Sequence, residues 1–163
     1  MFISRHRVPL TRINALRGVP MFAGLPDAAL ARIDGHMVEI EVEDGATLIR
    51  ENERGREAFI VAEGIAEVRV GGVAVSSVAA GDLIGEVSLL DNGPRTATVV
   101  ALTPLRLYVL DPRQFTALFD APQTARWIAT NLAHRLREDD TQHDGMKPAV
   151  THWPAAHHNR GNQ

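Results

Sequence analysis

Between residues 37 and 110 the chain is a series of short apolar runs separated by turn signals, and this pattern limits the fold more than any other feature. The run from Met37 to Glu43, MVEIEVE, alternates apolar and acidic residues, which is the period of a half-buried strand. Many short strands at this spacing indicate a sandwich or barrel that protects its own sheet edges. The other predicted strands are ATLIR, EAFIVAE, IAEVRV, VAVSSVA, TATVVAL and LRLYVL.

Helical patterns flank this region on both sides. In 10–35, the segments LTRINALRG and PDAALARIDG carry helix punctuation, the second with Pro26 near its start and Gly35 at its end. After the strands, Asp111 and Pro112 mark a helix start, because Asp is a favoured N-cap residue and Pro suits the first helical position. We therefore predict a mostly β fold with N-terminal helices in 10–35 and two C-terminal helices in 112–139.

The last predicted helix has one apolar face, formed by Ile128, Leu132 and Leu136 at intervals of four residues. From Thr141 the periodicity is lost and Gly, Pro and His become frequent, so 141–163 is predicted to be a disordered tail. A chain of 163 residues with 45% hydrophobic composition is long enough for one domain with a substantial core. That domain is predicted to cover 1–140.

Composition excludes several classes of protein. The chain has no cysteine, which rules out disulfides, thiolate metal sites and a cysteine nucleophile. It contains no apolar run of about 18 residues, so no membrane span is predicted, and we expect a cytoplasmic location. The net charge of −3 gives no reason to expect direct binding of nucleic acid. No spacing of Ser, His and Asp or cluster of His suggests catalysis or a metal site, and none is predicted.

The segment 85–99, GEVSLLDNGPRTATV, brackets a short apolar run with two charges, Glu86 and Arg95. Charged groups beside a buried run need partners, because an unpaired buried charge is costly. Glu86 and Arg95 are therefore either partners of each other, as a structural ion pair, or partners of a ligand from outside.

A ligand is favoured if GEVSLL begins a short helix. The N–H groups of about Val87 to Leu89 would then be unpaired and could bind an anion, phosphate above all. Gly85 would let a ligand approach the backbone closely. Arg95 could contact the same phosphate with two N–H groups, and Glu86 could accept a hydrogen bond from a sugar hydroxyl. Together these roles describe a nucleotide with a single phosphate.

The longer stretch GDLIGEVSLLDNGPRTATVVAL resembles the phosphate-binding cassette of the cyclic nucleotide-binding domain family. The matching elements are G-E-x-S-L-L and P-R-T-A-T-V at the spacing of the family, and the likeness extends over residues 10–139. The resemblance implies an eight-stranded, jelly-roll-like β-roll over 37–110 with the cassette at 81–99. It also implies that the ligand is a cyclic nucleotide, without a further cofactor.

The resemblance assigns roles within the cassette. It implies that Glu86 binds the ribose 2′-hydroxyl and that Arg95 binds the cyclic phosphate, supported by the amides of Val87 and Ser88 and the hydroxyl of Thr96. We expect cAMP, with cGMP as the alternative, because a hydroxyl at Thr96 can also contact the guanine amino group; otherwise Thr96 is an ordinary strand residue. The predicted ligand-binding residues are Ile84, Gly85, Glu86, Val87, Ser88, Pro94, Arg95, Thr96 and Ala97.

Two positions depart from the pattern of the family. An aromatic residue usually precedes the Gly-Glu pair, and Ile84 stands there in this chain. The turn glycine expected after the second strand is Asn52. Because Asn tolerates the left-handed backbone conformation better than other non-glycine residues, we predict that this turn still forms.

The predicted function is a non-enzymatic regulatory domain that binds a cyclic nucleotide and relays binding through movement of the helix at 122–139. The receiver of that signal is left open between a separate protein, further domains of a longer chain, and a second copy of this chain through the same helix. Two alternatives remain. One is the sensor half of a transcription regulator, and the other is an interaction module of the same fold that no longer binds nucleotide.

Overall fold

The structure, a computed structural model, describes residues 5–6, 12–35 and 37–143, with side chains for 12–35 and 37–138. The helices are α1 Arg12–Arg17, α2 Asp27–Asp34, α3 Glu86–Asp91, α4 Pro112–Ala117 and α5 Pro122–His143, with 3-10 turns at Pro20–Phe22 and Leu118–Asp120. The strands are β1 Arg5–His6, β2 Val38–Val42, β3 Thr47–Ile49, β4 Ala58–Glu63, β5 Ile65–Val70, β6 Val73–Ala79, β7 Leu83–Ile84, β8 Thr98–Ala101 and β9 Leu105–Leu110.

The strands form two antiparallel sheets. One has the order β1-β2-β9-β4-β7 and the other the order β3-β8-β5-β6. Strands β2 to β9 are the eight strands of the predicted roll, and the two-residue strand β1 adds to the edge of β2. The fold class predicted from the sequence, an eight-stranded β-roll with flanking helices, is confirmed.

The core of the roll lies between the inner faces of the two sheets. It is formed by buried residues from both sheets, among them Ile40, Val61, Val99 and Leu107. Alternate residues of a strand point to opposite faces, so Tyr108 and Leu110 lie on the other face of β9 from Leu107. Tyr108 and Leu110 are also buried, and helix α4 contacts this strand.

The beginning of α5 is fixed by a buried polar contact. Thr124 is fully buried, and its hydroxyl donates a hydrogen bond to the carbonyl of Met21 over 3.2 Å. Ile128, one turn further along α5, is also buried. The chain divides into two compact units after Ile128, and the roll, helices α1 to α4 and the start of α5 all belong to the first unit.

Local signals predicted two features of the backbone correctly. Asn52 has a φ of 65°, so it adopts the left-handed conformation predicted for the turn that lacks a glycine. Asp111 caps α4 by accepting a hydrogen bond from the backbone N–H of Gln114, while the Gln114 side chain accepts one from the N–H of Asp111, each over 2.8 Å. This reciprocal pair is a capping box, and it explains why α4 begins directly after the last strand.

Three features differ from the prediction. The strands β1 and β7 were not predicted, because two residues are too few to show an alternating pattern. Helix α5 extends to His143, past the predicted end at 139 and into the predicted tail at 141–163. Residues 140–143, DTQH, carry no apolar face but also contain no Gly or Pro that would end a helix. The rest of that predicted tail, 144–163, lies outside the described residues.

Within the part of the chain that the structure describes, no helix is both long and apolar enough to span a bilayer.

Candidate functional site

The segment that contains the predicted site folds as a short helix between two residues with left-handed backbone conformation. Gly85 precedes α3 with a φ of 79°, and Asn92 follows it with a φ of 56°. After the helix, the carboxylate of Asp91 accepts a hydrogen bond from the N–H of Gly93 over 2.7 Å, which tightens the turn. The predicted short helix at GEVSLL is therefore present, and the turn returns the chain toward Arg95.

The backbone of Arg95 is bound to the loop that precedes β4. The N–H of Arg95 donates to the carbonyl of Glu53, and the N–H of Asn52 donates to the carbonyl of Arg95, each over 2.8 Å. These two bonds hold 52–53 and residue 95 together as a short antiparallel pair would be held. These bonds fix the position of the Arg95 backbone independently of the contacts of its side chain.

The side chain of Arg95 is buried, with 7% of its surface exposed, and it donates to three protein oxygens. Nη1 donates to the carbonyl of Gly85 over 2.8 Å and to the Ser88 hydroxyl over 2.9 Å. Nη2 donates to the carbonyl of Glu57 over 2.6 Å. Since a guanidinium carries five N–H groups, the group on Nε and one on Nη2 are left over from these three bonds.

The electrostatic surroundings of Arg95 balance two effects. Burial lowers the pKa of the guanidinium, because removal from water disfavours the charged form, while the carboxylates of Glu57 and Glu86 raise it. A guanidinium nevertheless keeps its proton in proteins. The site therefore presents a partly desolvated positive charge beside two acids.

Glu86 is the first residue of α3 and is 3% exposed. It attracts Arg95 electrostatically, although the acceptors of the three hydrogen bonds from the guanidinium are other residues. The structure thus brings both predicted charges into one site. The sequence left open a direct ion pair between Glu86 and Arg95. In the structure, the hydrogen bonds of the Arg95 guanidinium go instead to Gly85, Ser88 and Glu57.

Ser88 has a second role that the sequence did not indicate. Its hydroxyl donates to the carbonyl of Gly85 over 3.1 Å and accepts from Nη1 of Arg95, whereas the prediction concerned only its amide. Ser88 is 5% exposed, so it links α3 to the buried guanidinium.

The remaining predicted residues surround this centre at different depths. Ile84 is buried in β7, where it pairs with Phe59 of β4. Val87 and Ala97 are half-buried, and Pro94 and Thr96 are exposed.

Sequence reasoning missed two contributors, Gly55 and Glu57. Gly55 was seen only as part of the turn ERG, and Glu57 only as the start of a strand. In the structure, the carbonyl of Glu57 accepts from Arg95, and the α-carbon of Gly55 lies against the same guanidinium. Neither contact leaves a local signal, because each depends on how the loop before β4 meets a segment about forty residues later.

The described residues contain no group of three or more His, Asp or Glu side chains arranged to hold a metal ion. The histidines at 152, 157 and 158 lie outside the described residues.

The sequence comparisons agree with this geometry. Residues 39–121 match the cyclic nucleotide-binding domain family, so the chain belongs to that family. One relative is a cAMP-dependent protein kinase regulatory subunit from Mycosarcoma maydis, which is 39% identical over 112 residues, 63% of this chain and 21% of the relative. The chain thus spans about a fifth of the length of that relative.

Solved structures share the fold. A cAMP-bound regulatory subunit of protein kinase A superposes with a TM-score of 0.74 at 23% identity, covering 81% of this chain and 46% of that one. The catabolite activator protein of Thermus thermophilus superposes with a TM-score of 0.66 at 29% identity, covering 77% of this chain and 62% of that one. These superpositions confirm the predicted fold, and the match of residues 39–121 to the family confirms the predicted family.

The first prediction concerns Gly85, where a side chain would meet both a conformational and a spatial penalty. An added Cβ would lie 2.6 Å from Nη1 of Arg95 and 3.0 Å from the carbonyl of Glu57. Gly24 is the matched control, because its φ of 82° is similar but an added Cβ would meet nothing within 4 Å. Gly24→Ala should cost about 1 kcal/mol of unfolding free energy from backbone strain alone. Gly85→Ala should cost about 1–3 kcal/mol more, because crowding adds to the strain.

Urea denaturation of the two variants and the native chain measures this difference. Equal losses at the two positions would show that Gly85 serves the backbone conformation only and not the close approach of Arg95.

Proposed function

We propose that this chain is a regulatory domain that binds a cyclic nucleotide, cAMP in the first place, in the cassette around Arg95, without chemical turnover. The observation that carries the proposal is the hydrogen bonding of the buried Arg95 guanidinium. Three of its N–H groups are bound to protein oxygens, which fix the guanidinium, and the Nε–H and one Nη2–H are not used in those bonds. Such a pair of donors suits two-point contact with a phosphate.

The second support is the pairing of an acid with this cation. Glu86 lies at the start of α3 and within electrostatic reach of Arg95. A carboxylate cannot bind a phosphate favourably, but it accepts hydrogen bonds strongly from a hydroxyl. We assign Glu86 to the ribose 2′-hydroxyl, so that one ligand bridges the acid and the cation. The amides of Val87 and Ser88 complete the proposed phosphate contacts, and Ile84, Gly85, Pro94, Thr96 and Ala97 form the surroundings.

The relay of binding is also part of the proposal. The Glu57 carbonyl that holds Arg95 immediately precedes Ala58, and Ala58 pairs with Leu110 at the end of β9. The next residue, Asp111, caps α4, and α5 follows. A change at Arg95 is thus connected through one strand pair to the start of the C-terminal helices. We propose that this connection carries the signal to a protein partner, a further domain or a second copy of the chain.

The site favours a receptor over an interaction module that no longer binds nucleotide. A module without ligand has no need for a buried cation that leaves two N–H groups outside its hydrogen bonds to the protein, since burying a charge costs stability. The sensor half of a transcription regulator stays a second candidate, supported by the likeness to the Thermus thermophilus activator.

The second prediction is that Arg95→Ala weakens cAMP binding about a hundredfold, because losing one partner of a buried charged pair costs on the order of 2–5 kcal/mol. Arg95→Lys should recover part of the loss, since an ammonium cannot make the two-point contact. Isothermal titration calorimetry measures both. Arg113→Ala, which removes an exposed arginine of α4, is the control and should bind like the native chain. Near-native affinity of Arg95→Ala would exclude the proposed site.

The third prediction separates the role of Glu86 from that of Arg95. The native chain should bind 2′-deoxy-cAMP more weakly than cAMP, because the deoxy ligand leaves the carboxylate without its hydroxyl partner. Glu86→Ala should bind the two ligands about equally, since the discriminating group is absent. Competition binding with both ligands gives this ratio. A native chain that does not distinguish them would make Glu86 a structural residue.

The fourth prediction tests the relay. A ligand shifts a two-state element only through contacts that differ between the states, and cAMP should therefore slow amide hydrogen exchange in both 85–98 and 122–139. Hydrogen-exchange mass spectrometry with and without cAMP measures both segments together. Protection confined to 85–98 would mean that the domain holds the nucleotide without transmitting its presence.

A further inference from the structure

Gly55 lies directly against the guanidinium of Arg95. A Cβ added to Gly55 would overlap Nε, Cζ and Nη2 of that side chain. These atoms form the edge that carries the two N–H groups left over from the hydrogen bonds to Gly85, Ser88 and Glu57. Gly55 therefore borders the part of the guanidinium that the proposed function assigns to the phosphate.

The backbone conformation does not explain the glycine at this position. Seven glycines of the described chain have a positive φ, and Gly55 is not one of them. Gly55 is therefore outside the left-handed region that favours glycine. The remaining reason for a glycine is the space that its missing side chain leaves for Arg95.

We propose that Gly55 is a positioning residue, which provides the slot that holds the Arg95 guanidinium in the orientation for binding a cyclic phosphate. This inference rests on the proposed function of Arg95. It adds a requirement outside the cassette, in the loop before β4.

The slot has a rigid wall. The loop is tied to Arg95 itself by the bonds from Asn52 N–H to the Arg95 carbonyl and from Arg95 N–H to the Glu53 carbonyl, and these bonds oppose movement of the loop away from the side chain. A methyl group at position 55 would instead displace the flexible end of Arg95. The displaced guanidinium would lose contact with the Gly85 and Glu57 carbonyls, which fix its orientation. Binding of the phosphate should suffer as a consequence.

The fifth prediction follows. Gly55→Ala should weaken cAMP binding about tenfold, the equivalent of one or two hydrogen bonds. In the Arg95→Ala background the same substitution should have no further effect, because there is no guanidinium left to displace. Isothermal titration calorimetry on the native chain, Gly55→Ala, Arg95→Ala and the double variant gives the coupling between the two positions in cAMP binding. Gly35→Ala is the matched control, since an added Cβ there makes only ordinary contact, 3.4 Å from the Ala31 carbonyl.

The proposed role of Gly55 would be overturned if Gly55→Ala bound cAMP with native affinity. It would also be overturned if the substitution weakened binding equally in the native and Arg95→Ala backgrounds. Thermal unfolding without ligand tests it independently of the proposed function. Gly55→Ala should lower the Tm when Arg95 is present and leave it nearly unchanged in the Arg95→Ala background. Equal Tm shifts in the two backgrounds would also overturn the slot, whereas failure of the native chain to bind cAMP would overturn the proposed function itself.

Discussion

The burial of one arginine is the constraint on which the rest of the site depends. A cation removed from water destabilises a protein unless polar groups surround it, and Arg95 finds three oxygens within 2.9 Å. Two of them, from Gly85 and Glu57, are backbone carbonyls, which cannot move without moving the chain. The third is the Ser88 hydroxyl, held by its own bond to Gly85. The guanidinium is thus orientated before a ligand arrives, and preorganisation of this kind lowers the cost of binding.

The roll supplies these oxygens through the pairing of its strands. Phe59 of β4 pairs with Ile84 of β7, which places Glu57 and Gly85, just outside the paired residues, near each other. The left-handed conformation of Gly85 then turns the chain into α3, and that of Asn92 ends the helix. Because β4 also pairs with β9, the strand that holds the arginine also leads to the C-terminal helices. One strand therefore connects the candidate site with the element proposed to transmit its state.

Local sequence patterns predicted most of the fold and pointed to the candidate site. Alternation predicted the long strands, and Asp111 and Pro112 predicted the start of α4. The candidate cassette came from the resemblance of G-E-x-S-L-L and P-R-T-A-T-V to the family. The parts that were missed lacked a local signal or depend on contacts between distant segments. Strand β7 is too short for a period, the end of α5 lacks a stop signal, and Gly55 and Glu57 matter only because strand register brings them to Arg95. The sequence could pair Glu86 with Arg95, but only the structure shows that carbonyl groups hold the guanidinium.

The central claim is that Arg95 is held by protein oxygens and still offers its Nε–H to a phosphate. The most direct measurement is the ¹H–¹⁵N spectrum of the arginine Nε–H groups during titration with cAMP, with the Arg95 signal assigned from Arg95→Lys. The account predicts that this signal moves downfield and exchanges more slowly with water as the phosphate accepts its proton. An Arg95 Nε–H signal that is unchanged at saturating cAMP would contradict it.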